Sequence, residues 1–511
     1  MFKSFRVSVV FPGLVVVVLA ISQVAFAGVA MQTTEPAVRN PEGTTKSTSP
    51  KTKKKKKKTS RNAGVVILGT YNPQSTTAQP VTVPVTVSDN VSGNMDLVPT
   101  SQAPAPSVTS RPAVRAAKAP GPHILPVEDA PANVNASTLV ISEFRVRGPN
   151  GANDEFIEIM NATGADHTVP GGGTGYAIAA SNGVARCVIP NGTVIPNKGH
   201  YLCVNSVGYS LASYPAGNGT TATGDATYTT DIPDNAGIAL FNTSIAANFN
   251  LANRFDAVGS TSEANTLYKE GTGYPALVPF SIDYSFYRDN CGKGGSITTF
   301  GACPGGGLVQ DSNNNAADFV FVDTNGTSAG AGQRLGAPGP ENLSSPIERN
   351  ASFQVNLLDI CVAAASPPNR VRDFTSDPPN NSTFGTLDIR REVFNNTGGN
   401  VTRLRFRVVD LTTFPAPSGI ADLRPRTSTA VVVTVDRPPC GSGTSNITVQ
   451  GTTLEQPPSQ PNGGGFNSSM SAGTVTLATP IANGASVNVR FLLGIQQTGS
   501  FKFFFNVEAL P

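Results

Sequence analysis

Three glutamates, Glu143, Glu155 and Glu158, lie close together in the short stretch ISEFRVRGPNGANDEFIEIMN (residues 141–161). Clustered carboxylates are able to work as a general acid and base pair or to hold a metal ion. They also occur on the solvated faces of a β-hairpin. A hairpin suits this stretch, because two runs of alternating apolar residues flank a turn rich in Gly, Pro and Asn.

Alternation along a strand separates these carboxylates. Ile157 and Ile159 are expected to face the core. Glu155 then shares their side and Glu158 takes the other, so the three carboxylates need not converge. We expect a structural role, in which Glu143 or Glu155 accepts hydrogen bonds from the turn RGPNGAND. Glycosidase chemistry would need two carboxyls beside a sugar-binding cleft, and the chain has no Trp, the commonest sugar platform.

A second group of oxygen-bearing side chains lies in DSNNNAAD (residues 311–318), which begins like a calcium loop. The match then fails, because Ala316 stands where an EF-hand loop has Gly and Val322 stands where it has a bidentate Glu. If calcium binds here, its ligands are Asp311, Asn313, Asn315 and Asp318.

Nucleophile motifs are not found beside the histidines, and motifs for nucleotide chemistry are missing from the sequence. Its three histidines, His123, His167 and His200, lie near no nucleophile motif such as G-x-S-x-G. No G-x-x-x-x-G-K-[ST] loop and no C-x-x-C pair occurs. We therefore expect no enzyme, no catalytic residue and no cofactor.

The N-terminus has the pattern of a secretory signal peptide over residues 1–27. Lys3 and Arg6 precede an apolar run, and Ala25-Phe26-Ala27 fits a cleavage site. No later segment is apolar for long enough to span a membrane.

Six cysteines fit an exported protein with disulfides, and their order suggests the pairs 187 with 203, 291 with 303 and 361 with 440, although fifteen connectivities are possible.

Residues 28–137 are rich in Thr, Pro, Ala and Ser and show no sustained period, so we expect a disordered tail, with GVVILGTYNP (residues 64–73) as one possible strand. The chain has 37 Lys and Arg against 34 Asp and Glu, and seven of the lysines lie in one run of the tail, so the remainder is acidic. The run either binds polyanions such as nucleic acid or anionic lipid, or is solvated. Its lysines are Lys51, Lys53, Lys54, Lys55, Lys56, Lys57 and Lys58.

From residue 138 onward, short β-prone runs alternate with Gly, Pro, Asn and Asp, which predicts an all-β protein. We expect two β-sandwich domains, residues 138–345 and 346–511, joined by the linker PGPENLSSP (residues 338–346). In the second, LDIRREVFNNTGGNVTRLRFRVVDL (residues 387–411) predicts two strands around the turn NNTGGN. SVNVRFLLGIQQTGSFKFFFNVEAL (residues 486–510) predicts a closing hairpin.

Alternation in the second domain also predicts which side chains share a face. Leu404, Phe406 and Val408 belong to one face of their strand, and Arg403, Arg405 and Arg407 to the other. In the closing segment, two sets of apolar side chains are expected to face each other across the core. They are Val487, Val489, Phe491 and Leu493 on one run and Phe501, Phe503, Phe505 and Val507 on the other.

The opening stretch resembles the start of the lamin-tail domain of exported bacterial proteins. The similarity continues through VIPNGTVIPNKGHYLCVN, TTDIPDNAGIALFN, LYKEGTGYP, DYSFYRD and NNAADFVFV to GQRLGAPGPENLSSP, over about residues 138–345. Where such domains usually carry Gly-Trp, this chain has Gly175-Tyr176, and Tyr176 is expected to fill that position. The second domain loosely resembles immunoglobulin-like surface repeats through VFNNTGGNVTRLRFRVVD.

This resemblance implies an immunoglobulin-like β-sandwich without catalytic activity. Lamins use the domain to bind partners, including chromatin, and bacterial versions often accompany secreted or envelope hydrolases and are thought to mediate attachment. We therefore expect a secreted or cell-envelope protein that works in adhesion, binding or scaffolding, with a protein or envelope polymer as its partner. A polyanion-binding tether and a secreted hydrolase are the alternatives.

Overall fold

Short β-branched and aromatic runs form strands throughout the chain after residue 138, as their alternation predicts. The structure is a computed structural model, and it describes residues 66–67, 138–214, 221–277, 281–289, 309–326, 334–416, 418–436, 440–441, 443–455, 457 and 463–510. The predicted signal peptide, the lysine run and nearly all of the predicted tail lie outside these residues. The described residues belong to one compact unit spanning residues 60–511.

In the N-terminal section, residues 138–345, the described residues form strands, one α-helical turn, α1 (Asn315–Asp318), and short 3-10 turns. Before it, β1 (Val66–Ile67) is the strand expected within GVVILGTYNP. The strands of the section are β2 (Leu139–Arg145), β3 (Phe156–Asn161), β4 (His167–Thr168), β5 (Tyr176–Ala180), β6 (Ala185–Ile189), β7 (Val194–Ile195), β8 (His200–Asn205), β9 (Ala226–Tyr228), β10 (Ile238–Phe241), β11 (Arg254–Val258), β12 (Tyr284–Arg288) and β13 (Phe319–Asp323). Single 3-10 turns cover Ala246–Asn248, Leu251–Asn253 and Thr266–Tyr268.

Two sheets of this section enclose its hydrophobic core. One has the strand order β13-β12-β2-β3-β8-β9 and the other β11-β10-β5-β6. Ile157 and Ile159 lie in the core, as predicted. Tyr176 is buried there as well, with its ring 5.0 Å from that of Phe255. The disulfide Cys187–Cys203 joins β6 of one sheet to β8 of the other, so it ties the two layers together.

The C-terminal section, residues 346–511, is also built from strands. They are β14 (Ile347–Glu348), β15 (Phe353–Leu357), β16 (Arg370–Asp373), β17 (Thr386–Asn395), β18 (Arg403–Leu411), β19 (Asp422–Arg426), β20 (Val431–Asp436), β21 (Thr444–Gly451), β22 (Thr453–Glu455), β23 (Ser469–Ser471), β24 (Ser486–Gln497) and β25 (Phe503–Leu510). Single 3-10 turns cover Asn350–Ser352 and Pro378–Asn380.

The sheets of the C-terminal section pair strands that are distant in sequence. One sheet has the order β15-β17-β24-β21-β20, with β16 on β17 and β19 on β24. The other has the order β1-β25-β18-β23-β22, with β14 also on β25. The predicted closing hairpin is therefore wrong, because β24 and β25 belong to different sheets and the turn between them crosses the core. Their apolar side chains do face each other as predicted, with the rings of Phe491 and Phe505 4.9 Å apart.

The expected strands on either side of NNTGGN are present as β17 and β18, and they too belong to different sheets. Leu404, Phe406 and Val408 are buried in the core between the sheets, which confirms their predicted face. The disulfide Cys361–Cys440 forms as the order of the cysteines suggested. The third predicted pair, Cys291 with Cys303, lies outside the described residues. No helix of the described residues is long and apolar enough to cross a membrane.

Candidate functional site at the junction of the sections

Charged side chains from both sections meet in a buried cluster between the two six-stranded sheets. Glu143 on β2, Glu158 on β3 and His200 on β8 come from the N-terminal section. The C-terminal section contributes Arg405 and Arg407 on β18, Glu455 on β22 and Glu508 on β25. Glu341 joins the cluster from the segment predicted as a linker. That segment is a buried crossing between the sections, since residues 337–342 are all buried.

A β-bulge brings the first two glutamates together. Ile141 pairs with Ile159, but the register then shifts so that Glu143 lies opposite Glu158. Without the shift, Glu143 would lie opposite Ile157 and take the core side of the sheet. Because Ser142 is the extra residue, Glu143 and Glu158 share the face that packs on the C-terminal section. Two of the three carboxylates of the opening stretch therefore converge, which strand alternation alone did not predict.

Every carboxylate oxygen of this pair already accepts a hydrogen bond. Glu143 accepts one from the backbone N–H of Gly339 at 2.9 Å and one from the side-chain amide of Asn467 at 3.1 Å. Glu158 accepts one from the Ser142 hydroxyl at 2.5 Å and one from the backbone N–H of Glu341 at 2.6 Å. The donors come from both sections and from the crossing segment, so the pair fastens the junction.

Two arginines hold the other side of the cluster. Arg407 Nε donates to Glu508 Oε1 at 2.7 Å, and Arg407 Nη2 lies 3.2 Å from Glu341 Oε2. Arg405 pairs with the remaining oxygen of Glu508 and of Glu341. Each of these two carboxylates is thus shared between both guanidinium groups. Arg405 is 1% exposed, so the ion pairs are shielded from water and from salt.

The titration behaviour of the cluster follows from burial and from the arginines. Burial raises the pKa of Glu143 and, together with the nearby charge of Glu143, raises the pKa of Glu158 well above its ordinary value. Burial would raise the pKa of Glu508 too, but Arg405 and Arg407 hold it below its usual value. Glu508 therefore ionises more readily than an ordinary carboxyl, while Glu158 keeps its proton more readily.

His200 lies between two of these carboxylates in the same cleft. Its Nε2 atom is 3.8 Å from Glu158 Oε1, and its Nδ1 atom is 3.5 Å from Glu341 Oε2. Burial lowers the pKa of His200 to about 3, so the imidazole is neutral at physiological pH. The cleft is lined by side chains of both sections, including Met160, Tyr287 and Asn506. Lys198 and Glu348 form a further ion pair along its wall.

The third glutamate of the opening stretch, Glu155, lies apart from the cluster. Its carboxylate accepts hydrogen bonds from the backbone N–H of Ile232 at 2.7 Å and from Asn205 Nδ2 at 2.8 Å. Burial raises the pKa of Glu155 to about 8. The prediction that Glu143 or Glu155 bonds to the turn RGPNGAND is wrong. Asp154, the last residue of that stretch, has the role instead, because it accepts from the N–H of Asn150 at 3.0 Å.

The predicted calcium ligands point in different directions. Asp311 and Asp318 each place an oxygen 3.5 Å from Arg288 Nη1, so a guanidinium group lies between these two acids. Asn315 instead accepts from the backbone N–H groups of Gly259 and Glu270, both at 3.0 Å. Asn313 has a left-handed backbone, with φ of 56°, at the exposed tip of the loop. Calcium binding by these four residues remains a prediction.

Sequence reasoning missed most members of the junction cluster. The arginine face of β18 was visible in RLRFRV, and Arg405 and Arg407 do lie on the face opposite the core. Alternation in FNVEAL also places Glu508 opposite the apolar Val507 and Ala509. Neither pattern indicates which surface covers a charged face. For this reason the contacts of Glu341 with the arginines and of His200 with Glu158 and Glu341 had no signal in the sequence.

The comparisons with known proteins leave the family of the chain open. No family model matches it, and no curated protein matches it. Among solved structures, it is similar to a DUF4876 family protein from Bacteroides thetaiotaomicron, with 14% sequence identity and a TM-score of 0.24. The match covers 37% of this chain and 71% of that chain. A TM-score this low carries no argument, so the resemblance to the lamin-tail domain remains a prediction.

Proposed function

We propose that this chain is an exported, non-catalytic binding or scaffolding protein with a lamin-tail-like N-terminal section. The observation that carries the proposal is that the clustered carboxylates are bonded to other groups of the same protein. Glu143, Glu158 and Glu508 bond to donors of the protein itself. The bond from Asn467 to Glu143 and the ion pair of Arg407 with Glu341 join the two sections. A general acid or base has to reach a substrate proton, whereas these groups are engaged in holding the fold.

Two disulfides support a place outside the cytoplasm. Cys187–Cys203 and Cys361–Cys440 are the kind of crosslink that persists in oxidising compartments. The signal-peptide pattern of residues 1–27 supports the same location. The proposed protein is therefore secreted or held at the cell envelope.

The edge of one C-terminal sheet is the surface best suited to recognition. Within the described residues, β20 ends its sheet and pairs only with β21. The N–H of Asp436 bonds to Asp359 instead of β21, so by alternation Val432 and Thr434 also direct their backbone groups outward. Val432 is 68% exposed. From Val431 to Val435 this edge is β-branched and uncharged, and an edge of this kind is able to accept an added strand from a partner.

Capture experiments test this proposal. The mature protein, with and without residues 28–137, is offered to intact cells and to purified envelope polymers over a series of salt concentrations. A Val432→Lys variant places a charge on the β20 edge, and a Leu477→Lys variant is the matched control at a residue that is 74% exposed elsewhere. We expect capture to survive removal of the tail and the control change, and to be lost with Val432→Lys.

Salt-sensitive capture that disappears with the tail would replace this proposal by a polyanion tether, since counterion release gives a steep salt dependence. If the Val432→Lys and Leu477→Lys variants are captured equally well, the β20 edge is not the binding surface, and the loops become the candidate surface instead. Hydrolysis of an envelope polymer by the purified chain, abolished by Glu158→Gln, would contradict the non-catalytic assignment itself.

A further inference from the structure

Three potential metal ligands converge at the junction. One ligand atom from each of Glu158, His200 and Glu341 lies within 4.8 Å of the other two, and all three residues are buried. Tetrahedral zinc with ligand bonds of about 2.0–2.1 Å brings its ligand atoms to about 3.3 Å from one another. His200 Nδ1 lies 3.5 Å from Glu341 Oε2, close to that spacing, whereas the 3.8 Å contact with Glu158 Oε1 belongs to the other ring nitrogen, Nε2. With one ring nitrogen as the ligand, the three ligand atoms lie within 4.8 Å of one another, which is wider than the full tetrahedral geometry. Small side-chain rotations would complete it.

His200 gives a second and independent indication of a ligand. Its Nδ1 atom is buried without a hydrogen-bond partner, and the residue is only 8% exposed. A buried polar atom without a partner costs about 1–3 kcal/mol, so a native structure seldom keeps one without a reason.

The charge balance of the cluster favours an added cation. Among the described residues, five buried carboxylates face the guanidinium groups of Arg405 and Arg407. These carboxylates belong to Glu143, Glu158, Glu341, Glu455 and Glu508. Two positive charges balance only two ionised carboxylates, so each remaining carboxyl either keeps a proton or faces a further cation, and a bound metal ion would replace such a proton. Each oxygen of Glu158 accepts a single hydrogen bond, which leaves a lone pair for a further partner.

We propose that Glu158, His200 and Glu341 bind one divalent transition-metal ion at the junction, with zinc preferred by the ligand chemistry. One imidazole with two carboxylates suits zinc better than calcium, which takes oxygen ligands alone. Glu158 and His200 belong to the N-terminal section, and Glu341 lies on the crossing segment bound to both arginines. The ion therefore fixes the crossing segment to the N-terminal sheet and, through the ion pairs of Glu341, supports the contact with the C-terminal section.

In a second cluster of acidic side chains, one carboxylate has no lone pair available for a metal ion. Asp256, Glu270 and Asp311 also lie close together. Both oxygens of Asp256 lie 2.6 Å from Arg288 Nη2, and each accepts a backbone N–H as well, so the carboxylate has no lone pair to offer. Arg288 supplies the cation there. This group serves as a control for the proposed site.

Metal content is the direct test. The purified protein is stripped with a chelator, dialysed against zinc and then against buffer, and its zinc is counted by mass spectrometry. We expect one zinc ion per chain, a rise in melting temperature on adding zinc, and loss of both in His200→Gln. The named hydrogen bonds of the cluster do not involve the His200 side chain, so the change to Gln leaves them in place. His167→Gln and Glu270→Gln are the matched controls and should retain the ion.

Two outcomes would overturn the proposal: unmodified protein without retained zinc, or His200→Gln with as much zinc as the unmodified chain. If His200→Gln does not fold, cobalt(II) bound to the unmodified protein decides the question. An intense visible absorption band of four- or five-coordinate cobalt, displaced by one equivalent of zinc, supports the site. The weak spectrum of hydrated cobalt contradicts it.

Discussion

Glu143 lies directly opposite Glu158 on the neighbouring strand, and each residue is only 3% exposed. Two carboxylates facing each other on paired strands repel when both are ionised. Burial raises the pKa of both, and the charge of Glu143 raises the pKa of Glu158 further. The pair is therefore tolerated because one member keeps its proton and because Arg407 lies beside it.

Replacing Glu158 by Gln should flatten the dependence of stability on pH. A carboxyl whose pKa is raised in the folded state stabilises the fold fully below its unfolded pKa, near 4.5, and loses that contribution as the pH rises. In the unmodified protein, we expect the free energy of unfolding to fall by up to about 1.4 kcal/mol for each unit of rising pH, because Glu158 loses one proton. The variant lacks this proton and should not show that fall. Urea unfolding between pH 5 and pH 9, with a chelator present, measures the slope.

The control for that experiment is Glu263→Gln. The pKa of Glu263 is lowered by hydrogen bonds that outweigh its burial, so its contribution is lost as the pH falls. This variant should keep the slope of the unmodified protein above pH 5. Equal slopes for Glu158→Gln and the unmodified protein would show that Glu158 is ionised at the junction.

Glu155 provides a separate pH effect far from the arginines. Because burial raises its pKa to about 8, the protonated carboxyl stabilises the fold at low pH, and the contribution disappears between about pH 4.5 and pH 8. Calorimetric melting of Glu155→Gln should show a melting temperature that varies less with pH across this window. An unchanged pH profile would place the pKa of Glu155 near its ordinary value.

Removing Arg407 should weaken the junction strongly. Arg407→Met leaves Glu143, Glu341 and Glu508 with one buried cation fewer, and breaking a buried ion pair costs about 3–5 kcal/mol. Arg403→Met on the same strand is the control, since its side chain is partly exposed, and we expect a change within about 0.5 kcal/mol. Denaturant unfolding gives both values. Similar losses in the two variants would contradict the assigned role of Arg407.

The two disulfides should differ in their contributions to stability. Their sequence separations are 16 residues for Cys187–Cys203 and 79 residues for Cys361–Cys440. Loop-closure entropy then gives about 3 and about 4.5 kcal/mol at 25 °C. Paired Cys→Ala variants, compared by urea unfolding, check the order. A larger loss for the shorter loop would mean that packing around Cys187 and Cys203 outweighs the entropy of the unfolded chain.

The sequence predicted the strands and their buried faces better than their pairing. Alternation correctly placed Phe406 in the core and Arg407 on the opposite face, because the side-chain period of a strand depends on local geometry alone. It gave the wrong partner for β24, since a short turn between two strands is compatible with a hairpin and with an arch between sheets. The bulge at Ser142 was missed, although the core positions change phase there, from Leu139 and Ile141 to Phe144 and Val146.

The pairing of distant strands in the C-terminal section has a consequence for folding kinetics. Asp388 on β17 bonds to Arg490 on β24 across 102 residues, and β18 finds β25 over a similar separation. The entropy of closing such long loops is lost before the strands gain their hydrogen bonds, and domains rich in such contacts fold in milliseconds to seconds. Refolding of this section is therefore limited by a search for non-local partners, during which its strand edges are open to association with other chains.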